Sequence, residues 1–376
     1  VVTDVTKKGL TINGGAGADE IIGTNYSDTI KAGTGTGDFI TGGTGNDKLY
    51  ASTTADSKTT FNFKAGDGAD TVYSGKGEDT IRFDSSVNPA DIKITKSGKR
   101  DLVISYGFDE TENAVDTITL KNYYDKNGKN VISSVKYIDI EDYKFELENI
   151  KDKNIVSSNS STINDTSGDD IIIAQPTGSG TQTIYTGDGD DIVYTSSSTS
   201  ACVTGGGNNT IYFAPPPSGY SARVRTGSGN DTIYGHEYSS AHPYAVTVTL
   251  AGGSSSDTPE NKGHNVYYDN GTGLTLVCYK KGMYENSIFT KEGNDLTYRY
   301  GETTFTVKDY FTFEENRQNR FYFNFYDNDS TPFAISFKEF KTNQGGIYNY
   351  ITGSDTINGT DSNEYLQAIA SNAITL

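Results

Sequence analysis

A nine-residue pattern occurs six times between residues 14 and 82, and it constrains the fold more than any other feature of the chain. Each copy has Asp at its sixth position and an aliphatic residue at its eighth. The copies read GGAGADEII (14–22), GTNYSDTIK (23–31), GTGTGDFIT (33–41), GGTGNDKLY (42–50), AGDGADTVY (65–73) and SGKGEDTIR (74–82), with Ala32 as an inserted residue. Six copies in one phase are not a chance arrangement.

The spacing predicts one short strand and one turn in each copy. The aliphatic side chain points inward from the strand, and the Gly-rich half reverses the chain through positive φ angles. Two copies then form one coil of a parallel β-solenoid. Alternate aspartates stack on the same edge, so we expect Asp19 to pair with Asp38 and Asp28 with Asp47.

Stacked carboxylates repel one another unless a cation lies between them. The carbonyl oxygens of the glycine turns are expected to face the same place, and about six to eight hard oxygen ligands are what Ca²⁺ takes in proteins. Mg²⁺ needs a smaller octahedral shell, and the sequence has no Cys/His cluster of the kind that binds zinc. A glycine-turn solenoid without metal is the alternative.

Two copies, GGTGNDKLY and GGAGADEII, match the pattern G-G-x-G-x-D-x-U-x at every specified position. The repeats therefore resemble the RTX, or haemolysin-type, calcium-binding nonapeptide, which builds parallel β-rolls. The resemblance implies several Ca²⁺ ions per chain and secretion from a bacterium by a one-step exporter. The fold class that we predict is all-β, with parallel β-roll (β-solenoid) arrays alternating with β-rich capping segments.

A second group of copies has only one edge with this pattern. The copies are DTSGDDIII (165–173), TGDGDDIVY (186–194), TGGGNNTIY (204–212) and TGSGNDTIY (226–234), about one coil apart. The half-coils between them have neither the glycines nor the aspartate, so we expect calcium along one edge only. Asn209 keeps an oxygen but loses the charge, which predicts a weaker site. A metal-free solenoid held by its Ile and Val residues is the alternative here too.

A third group begins near the end of the chain. YITGSDTIN (350–358) contains Asp355, and GTDSNEYLQ (359–367) follows it with Glu364 at the aspartate position. The chain thus ends as a new array begins, which suggests a piece of a longer tandem protein.

The candidate metal ligands are the carboxylate, amide and turn residues of these copies. They are Gly14, Gly15, Gly17, Asp19, Asp28, Gly33, Gly35, Asp38, Gly42, Gly43, Gly45, Asp47, Gly66, Gly68, Asp70, Gly75, Gly77, Asp79, Asp170, Gly187, Gly189, Asp191, Asn209, Gly227, Gly229, Asp231 and Asp355.

Two segments without repeats resemble each other and predict caps. ITKSGKRDLVISYG with DTITLKNYY (94–124) is similar to FTKEGNDLTYRYG with TTFTVKDYF (289–311). Alternation in DLVISY and FYFNFY indicates half-buried antiparallel strands, and residues 135–150 read as a strand pair or a short helix. The predicted segments are a first array (1–85), a cap (86–155), a second array (156–284), a second cap (285–345) and the start of a third array (346–376).

Composition restricts the partners. The chain has 49 acidic and 31 basic residues, a net charge of −18 and a pI of about 4.5, which disfavours nucleic acid and anionic membranes. No apolar run approaches the roughly 20 residues of a membrane span. Cys202 and Cys278 are too few for a disulfide framework, and either one bridge or two buried thiols are open alternatives.

No catalytic motif emerges from the sequence. It contains no H-E-x-x-H and no G-x-S-x-G, and the neighbouring Asp190 and Asp191 are better explained by a calcium turn than by a glycosidase pair. We expect a non-enzymatic, structural or adhesive segment of a secreted bacterial cell-surface protein, an S-layer subunit or an RTX adhesin. Its partners are then neighbouring copies of itself or a surface glycan. The alternative is the calcium-triggered folding and secretion tail of an exported toxin or hydrolase, and an enzyme within this segment is the third interpretation.

Overall fold

A computed structural model describes residues 8–108, 114–141, 143–164, 167–177, 181–216, 221–238, 245–250, 263–278, 288–325, 333–336, 348–353 and 364–368. The chain divides into two compact units, Val1–Ser157 and Ser158–Leu376. Asp355 of the expected third array lies outside the described residues. The structure confirms the predicted all-β class, because strands and turns make up nearly all of it.

The first unit begins with short strands from the nine-residue repeats and ends with the strands of the cap. Its strands are β1 (Thr11–Asn13), β2 (Glu20–Ile22), β3 (Thr29–Lys31), β4 (Asp38–Thr41), β5 (Lys48–Tyr50), β6 (Thr59–Phe63), β7 (Ala69–Tyr73), β8 (Asp79–Phe83), β9 (Lys93–Ser97), β10 (Asp101–Phe108), β11 (Ala114–Lys121), β12 (Val135–Ile140), β13 (Tyr143–Glu146) and β14 (Asn154–Ser158). A 3₁₀ turn (Pro89–Asp91) and one-turn helix α1 (Leu147–Ile150) complete it.

Successive strands alternate between two parallel sheets. Strands β1, β3, β5 and β7 form one sheet, and β2, β4, β6 and β8 form the other, so two strands and two turns make one coil of a parallel β-roll. The predicted aliphatic positions fill the space between the sheets. Ile21, Ile30, Ile40, Leu49, Val72 and Ile81 are all 0–7% exposed.

The capping strands continue both sheets beyond the last coil. Strand β11 pairs in parallel with β7, and β10 and β9 follow antiparallel. Strand β12 pairs in parallel with β8 and antiparallel with β13. Residues 135–150 therefore contain both predicted alternatives, the strand pair and a short helix.

One detail of the predicted repeat register is wrong. The backbone N–H of Ala32 donates to Tyr50 O, just as that of Gly14 donates to Lys31 O, so Ala32 is the first residue of its turn and not an insertion between copies. Gly33 then stacks on Gly15 as a second-position residue. The extra residue lies later in this turn, before Asp38. Sequence counting aligned the copies on their sixth-position aspartates, but the ladder of hydrogen bonds sets the true register.

The second unit repeats the roll with longer connections. Its strands are β15 (Thr162–Asn164), β16 (Asp170–Ala174), β17 (Gln182–Tyr185), β18 (Ile192–Tyr194), β19 (Thr199–Val203), β20 (Thr210–Tyr212), β21 (Arg223–Arg225), β22 (Thr232–Tyr234), β23 (Val246–Leu250), β24 (His264–Tyr268), β25 (Leu274–Cys278), β26 (Ile288–Glu292), β27 (Asp295–Tyr300), β28 (Thr303–Val307), β29 (Phe321–Phe325), β30 (Phe333–Ser336), β31 (Tyr348–Gly353) and β32 (Glu364–Ala368). A 3₁₀ turn (Tyr310–Thr312) and α2 (Glu315–Gln318) are its helical elements.

Two sheets again enclose an apolar interior. One runs β16-β18-β20-β22-β24-β28-β27-β26-β31-β32, and the other runs β15-β17-β19-β21-β23-β25-β29-β30. Ile172, Val193, Ile211 and Ile233 are fully buried in the first. No described helix has the length and apolar character needed to cross a membrane.

The structure excludes one of the two alternatives for the cysteines, the single bridge. Cys202 is a buried free thiol, in register with Ile184 and Val224 of the neighbouring strands. Its strand, β19, is separated from β25, which carries Cys278, by β21 and β23. Three strand steps span about 14 Å, whereas a disulfide needs Cα atoms within about 7 Å. Cys202 therefore acts as a small apolar residue of the core.

Candidate metal sites in the turns of the roll

The sixth-position aspartates of the first unit form a hydrogen-bonded column along one edge. We call first edge the turns of residues 23–28, 42–47 and 64–70. The backbone N–H of Asp28 donates to Asp47 Oδ1, and that of Asp47 donates to Asp70 Oδ1, each at 2.7 Å. All three residues are at most 2% exposed. The expected stacking of alternate aspartates is thus present in the backbone geometry.

The opposite edge, formed by the turns of residues 14–19, 32–38, 51–58 and 74–79, is interrupted. The backbone N–H of Asp19 donates to Asp38 Oδ1 at 3.0 Å. The next coil has Thr59 at the ladder position, and its N–H donates to Asp79 Oδ1 at 2.9 Å. The column of carboxylates therefore has a gap of one coil on this second edge. Residues 51–63 lack the pattern, which is the signal for that gap.

The ladder leaves the second carboxylate oxygen of four aspartates without a partner. Oδ1 of Asp38, Asp47 and Asp70 accepts a backbone N–H, but Oδ2 is buried with no hydrogen bond in Asp19, Asp38, Asp47 and Asp70. A buried carboxylate oxygen that is neither paired nor hydrogen-bonded destabilises the fold. These unpartnered carboxylate oxygens suit a hard cation, which takes oxygen ligands.

Asp28 and Asp79 depart from this arrangement. Asp28 Oδ2 accepts hydrogen bonds from the backbone N–H and the hydroxyl of Thr24, at 2.6 and 3.0 Å. Asp79 Oδ2 accepts one from the hydroxyl of Ser134, a residue of the cap. Protein donors already satisfy these two carboxylates, so they are the weaker candidates among the first six.

The turn of residues 42–47 illustrates why glycine occupies the predicted positions. Gly43 and Gly45 have φ angles of 96° and 132°, which side chains rarely adopt. A Cβ at Gly42 would overlap Asp47 Oδ2. Of the other predicted glycines, Gly15, Gly17, Gly33, Gly66, Gly68, Gly187, Gly189 and Gly229 also have positive φ, and Gly14, Gly35, Gly75, Gly77 and Gly227 do not. Gly42 therefore makes room for the carboxylate, while Gly43 and Gly45 reverse the chain.

Electrostatics along the first edge disfavours the ionised carboxylates. Burial, followed by the nearby carboxylates of Asp28 and Asp67, raises the pKa of Asp47 to about 6. Burial and three neighbouring carboxylates raise the pKa of Asp70 to about 8. A cation between the turns would reverse both effects, because an opposite charge favours the ionised form.

The second unit has one such column, on the edge that precedes β16, β18, β20, β22 and β24. Backbone N–H groups donate from Asp170 to Asp191 (3.0 Å), from Asp191 to Asn209 (3.2 Å) and from Asn209 to Asp231 (3.1 Å). The N–H of Asp231 then donates to Asn265 Oδ1 at 2.8 Å. Asn265 was missed in the sequence, although Asn before an apolar strand was a usable signal.

Neutral side chains replace part of the carboxylate chemistry in this column. Asn209 Nδ2 donates to Asp231 Oδ1 at 2.9 Å, and the Thr204 hydroxyl donates to Asp231 Oδ2 at 3.1 Å. Both oxygens of Asp231 are thus hydrogen-bonded within the protein. A carboxylate that protein groups already hydrogen-bond needs a cation less, which agrees with the weaker site predicted from Asn209.

The opposite edge of the second unit is held by uncharged groups. Gln182 is fully buried, and its Oε1 accepts from the hydroxyls of Ser196 (3.1 Å) and Thr199 (2.9 Å). Its Nε2 donates to Ser160 O at 2.9 Å. Sequence analysis left this amide network unnoticed, since a Ser-rich stretch has no distinctive spacing.

Fifth-position residues form an outer ladder that sequence analysis also missed. The N–H of Asp190 donates to Asp169 Oδ1, that of Asn208 to Asp190 Oδ1 and that of Asn230 to Asn208 Oδ1, at 2.7–3.0 Å. Asp190 and Asp191 therefore lie in two different ladders. Their adjacency follows from the turn and needs no catalytic explanation.

Side chains alone do not complete a metal site. In the part of the chain that the structure describes, no three or more His, Cys, Asp or Glu side chains group so as to hold a metal ion. Cations bound in these turns would take one or two carboxylates and obtain their other ligands from backbone carbonyls and water. Ca²⁺ accepts such mixed oxygen shells.

Comparison with known proteins supports this chemistry. The family model for the RTX calcium-binding nonapeptide repeat (4 copies) matches residues 13–49, 33–57, 62–85, 176–211 and 218–237. No curated protein matches the chain. Among solved structures, the extracellular lipase LipA from Serratia marcescens aligns at 11% identity and a TM-score of 0.18, covering 77% of this chain and 38% of that one. The chain thus spans less than half of that lipase, and a TM-score this low carries no argument.

The family matches fall on the glycine turns of both rolls, and they agree with the parallel topology and with the buried aspartate columns. The chain therefore carries RTX calcium-binding nonapeptide repeats in both of its units.

Proposed function

We propose that this chain is a calcium-binding structural or adhesive segment of a secreted bacterial cell-surface protein, an S-layer subunit or an RTX adhesin. The observation that carries the proposal is the row of buried carboxylates whose Oδ2 atoms have no protein partner. Such a row is unfavourable in a fold that never meets a cation and favourable in one that folds around cations. The parallel rolls supply a regularly repeated scaffold for a surface layer.

We propose that the strongest sites use Asp19, Asp38, Asp47 and Asp70 with the carbonyl oxygens of their glycine turns. Asp170, Asp191, Asn209 and Asp231 form the weaker set. Asp28 and Asp79 contribute least, since protein donors already satisfy them, and Asp355 stays a prediction. We also propose the five segments predicted from the sequence as the organisation of the chain.

Calcium would act on this protein by linking binding to folding. Ca²⁺ that binds only the folded form stabilises it by about 2.7 kcal/mol per site at a hundredfold excess over the dissociation constant. Sites in extracellular modules bind at roughly 10⁻⁴–10⁻³ M, far above resting cytosolic calcium. The first roll would then stay unfolded inside the exporting cell, as passage through a narrow channel requires, and fold outside it.

The first prediction is calcium-dependent folding of the full chain. We expect circular dichroism to show β-structure increasing as calcium is titrated to millimolar concentration, together with a higher melting temperature. Magnesium at the same concentration is the control and should have a much smaller effect, because it keeps its waters. A β-signal already complete in chelator and a melting temperature indifferent to calcium would contradict the proposal.

The second prediction concerns the surface role. In millimolar calcium we expect the folded chain to self-associate in sedimentation velocity experiments, or to be retained by bacterial cell-wall glycan. Chelator should abolish either behaviour. A calcium-loaded chain that stays monomeric and binds no glycan would instead favour the folding and secretion tail of an exported toxin or hydrolase.

The third prediction separates the two units. Asp47→Asn should reduce the calcium-induced rise in melting temperature more than Asp231→Asn, because Asp47 Oδ2 has no protein partner and both oxygens of Asp231 have one. The loss for Asp47→Asn should approach the contribution of one site, about 2.7 kcal/mol at a hundredfold calcium excess. An equal reduction in both variants, or a larger one in Asp231→Asn, would contradict the proposal that the first ladder depends more on a cation.

The fourth prediction is the pH dependence of the metal-free protein. Asp47 and Asp67 have pKa values of about 6 and Asp70 of about 8 in the folded state, against an ordinary 3.8. The folded state binds these protons more tightly than the unfolded state. The stability that the three groups contribute is therefore fully present below about pH 4 and is lost as the pH rises through 6 and 8. In calcium-free buffer the melting temperature should fall from pH 5 to pH 8, less so in Asp70→Asn. A flat or rising melting temperature in the unsubstituted chain would contradict this.

A further inference from the structure

Asp116 extends from capping strand β11 to the last turn of the first edge. Its Oδ2 accepts a hydrogen bond from the backbone N–H of Gly66, and its Oδ1 accepts one from Gly68, each at 2.9 Å. The facing residue of β10 is Gly107, where a Cβ would overlap Asp116 Oδ2. The cap thus leaves room for a carboxylate, 6% exposed, that fixes the turn.

The turn that Asp116 fixes carries a carboxylate that the other turns of the first unit lack. Asp67 occupies the third position of its copy, where the other five copies have Ala, Asn, Thr or Lys. It is 1% exposed, and its Oδ2 accepts the N–H of Lys64 at 2.9 Å. Its Oδ1 is buried without a hydrogen bond, as is Asp70 Oδ2 in the same turn. Two unpartnered oxygens therefore lie in one four-residue stretch.

The cap also contributes a buried hydroxyl, on a side chain that packs next to this turn. Tyr106 of β10 is 2% exposed, and its ring packs against Phe63 and Phe83 with centroid distances of 6.2 and 5.0 Å. Its hydroxyl has no hydrogen-bond partner. Phe63 directly precedes the turn of residues 64–70, so the Tyr106 side chain packs next to the start of that turn.

We propose that the last turn and the cap form a cation site of their own, with Asp67 Oδ1, Asp70 Oδ2 and the Tyr106 hydroxyl as ligands and Asp116 as the residue that positions the turn. All the donors are hard oxygens, so the cation is Ca²⁺. This inference rests on the proposed function, since it says where calcium binds. It differs from a site between two turns, because two of its four residues belong to the cap.

The consequence is that one ion joins the cap to the roll. Without the ion, Asp67 and Asp70 repel each other next to Asp116, and burial adds to the unfavourable energy. With it, the capping strands β10 and β11 close over the last coil. Calcium would then control both the folding of the turns and the closure of the roll.

The test counts calcium ions in the full chain. After equilibration in millimolar calcium, elemental analysis of Asp67→Asn should find about one ion fewer per chain than in the unsubstituted protein. Tyr106→Phe keeps the ring but removes the hydroxyl. We expect it to lower the calcium affinity of this one site by about tenfold, as loss of a supporting group does at metal sites. Asp91→Asn is the matched control, because Asp91 is an exposed carboxylate of the same unit, and should match the unsubstituted chain.

Hydrogen exchange supplies the readout for closure. Calcium should slow amide exchange in β11 of the unsubstituted chain and of Asp91→Asn, but much less in Asp67→Asn or Asp116→Asn. An unchanged ion count and unchanged exchange in Asp67→Asn would overturn the inference while leaving the proposed function intact. A chain that binds no calcium at all would overturn both.

If Asp67→Asn does not fold, crystals of the unsubstituted chain grown in calcium decide the question. An ion about 2.3–2.6 Å from Asp67 Oδ1 is the expected result. Contact of that oxygen with water or protein alone would overturn the inference.

Discussion

The structure depends on one hydrogen bond, repeated from coil to coil, between a backbone N–H and the carboxylate oxygen of the next coil. Asp28, Asp47 and Asp70 form it on the first edge, at 2.7 Å in each step. The bond holds successive turns at the spacing of β-strands. It also places negative charges in a buried column and uses only one oxygen of each carboxylate. The second oxygens of Asp47 and Asp70 need a partner that the turns themselves do not provide.

The column explains the rest of the local sequence. A side chain at Gly42 would occupy the space of the Asp47 carboxylate, and Gly43 and Gly45 adopt backbone angles that reverse the chain within six residues. The aliphatic residue two positions after the aspartate, Leu49 in this copy, is then directed into the core. One constraint, the stacked carboxylate, thus fixes the turn before it and the strand after it.

The period was enough to predict this part of the structure. Asp at the sixth position and an aliphatic residue at the eighth predicted the parallel roll, the buried row and the pairing of Asp19 with Asp38, because all three follow from local spacing. Contacts between distant residues could not be predicted in this way. Ser134 bonds Asp79 across 55 residues, and Asp116 bonds Gly66 across 50. The position of Ala32 was misassigned because its copy, residues 32–41, has ten residues, and a nine-residue template does not show where the extra residue lies.

The two units satisfy the same ladder by different means, and the outer face of the roll reinforces the difference. In the second unit, Tyr194, Tyr212, Tyr234 and Tyr268 stack in one column, with ring centroids 4.6–4.8 Å apart over three contacts. Among the described repeats of the first unit, Tyr50 and Tyr73 make the only such contact, at 4.3 Å. Each aromatic pair adds about 0.5–1.5 kcal/mol beyond the area it buries.

These rings hold the coils at the same spacing as the ladder, and they do so without metal. Asn209, Gln182 and the tyrosine column together give the second unit sources of stability that do not depend on a cation. The first unit has the longer run of unpartnered carboxylate oxygens and the shorter aromatic column. Dependence on calcium should therefore be concentrated in the first roll, while the second relies more on its amides, hydroxyls and stacked rings.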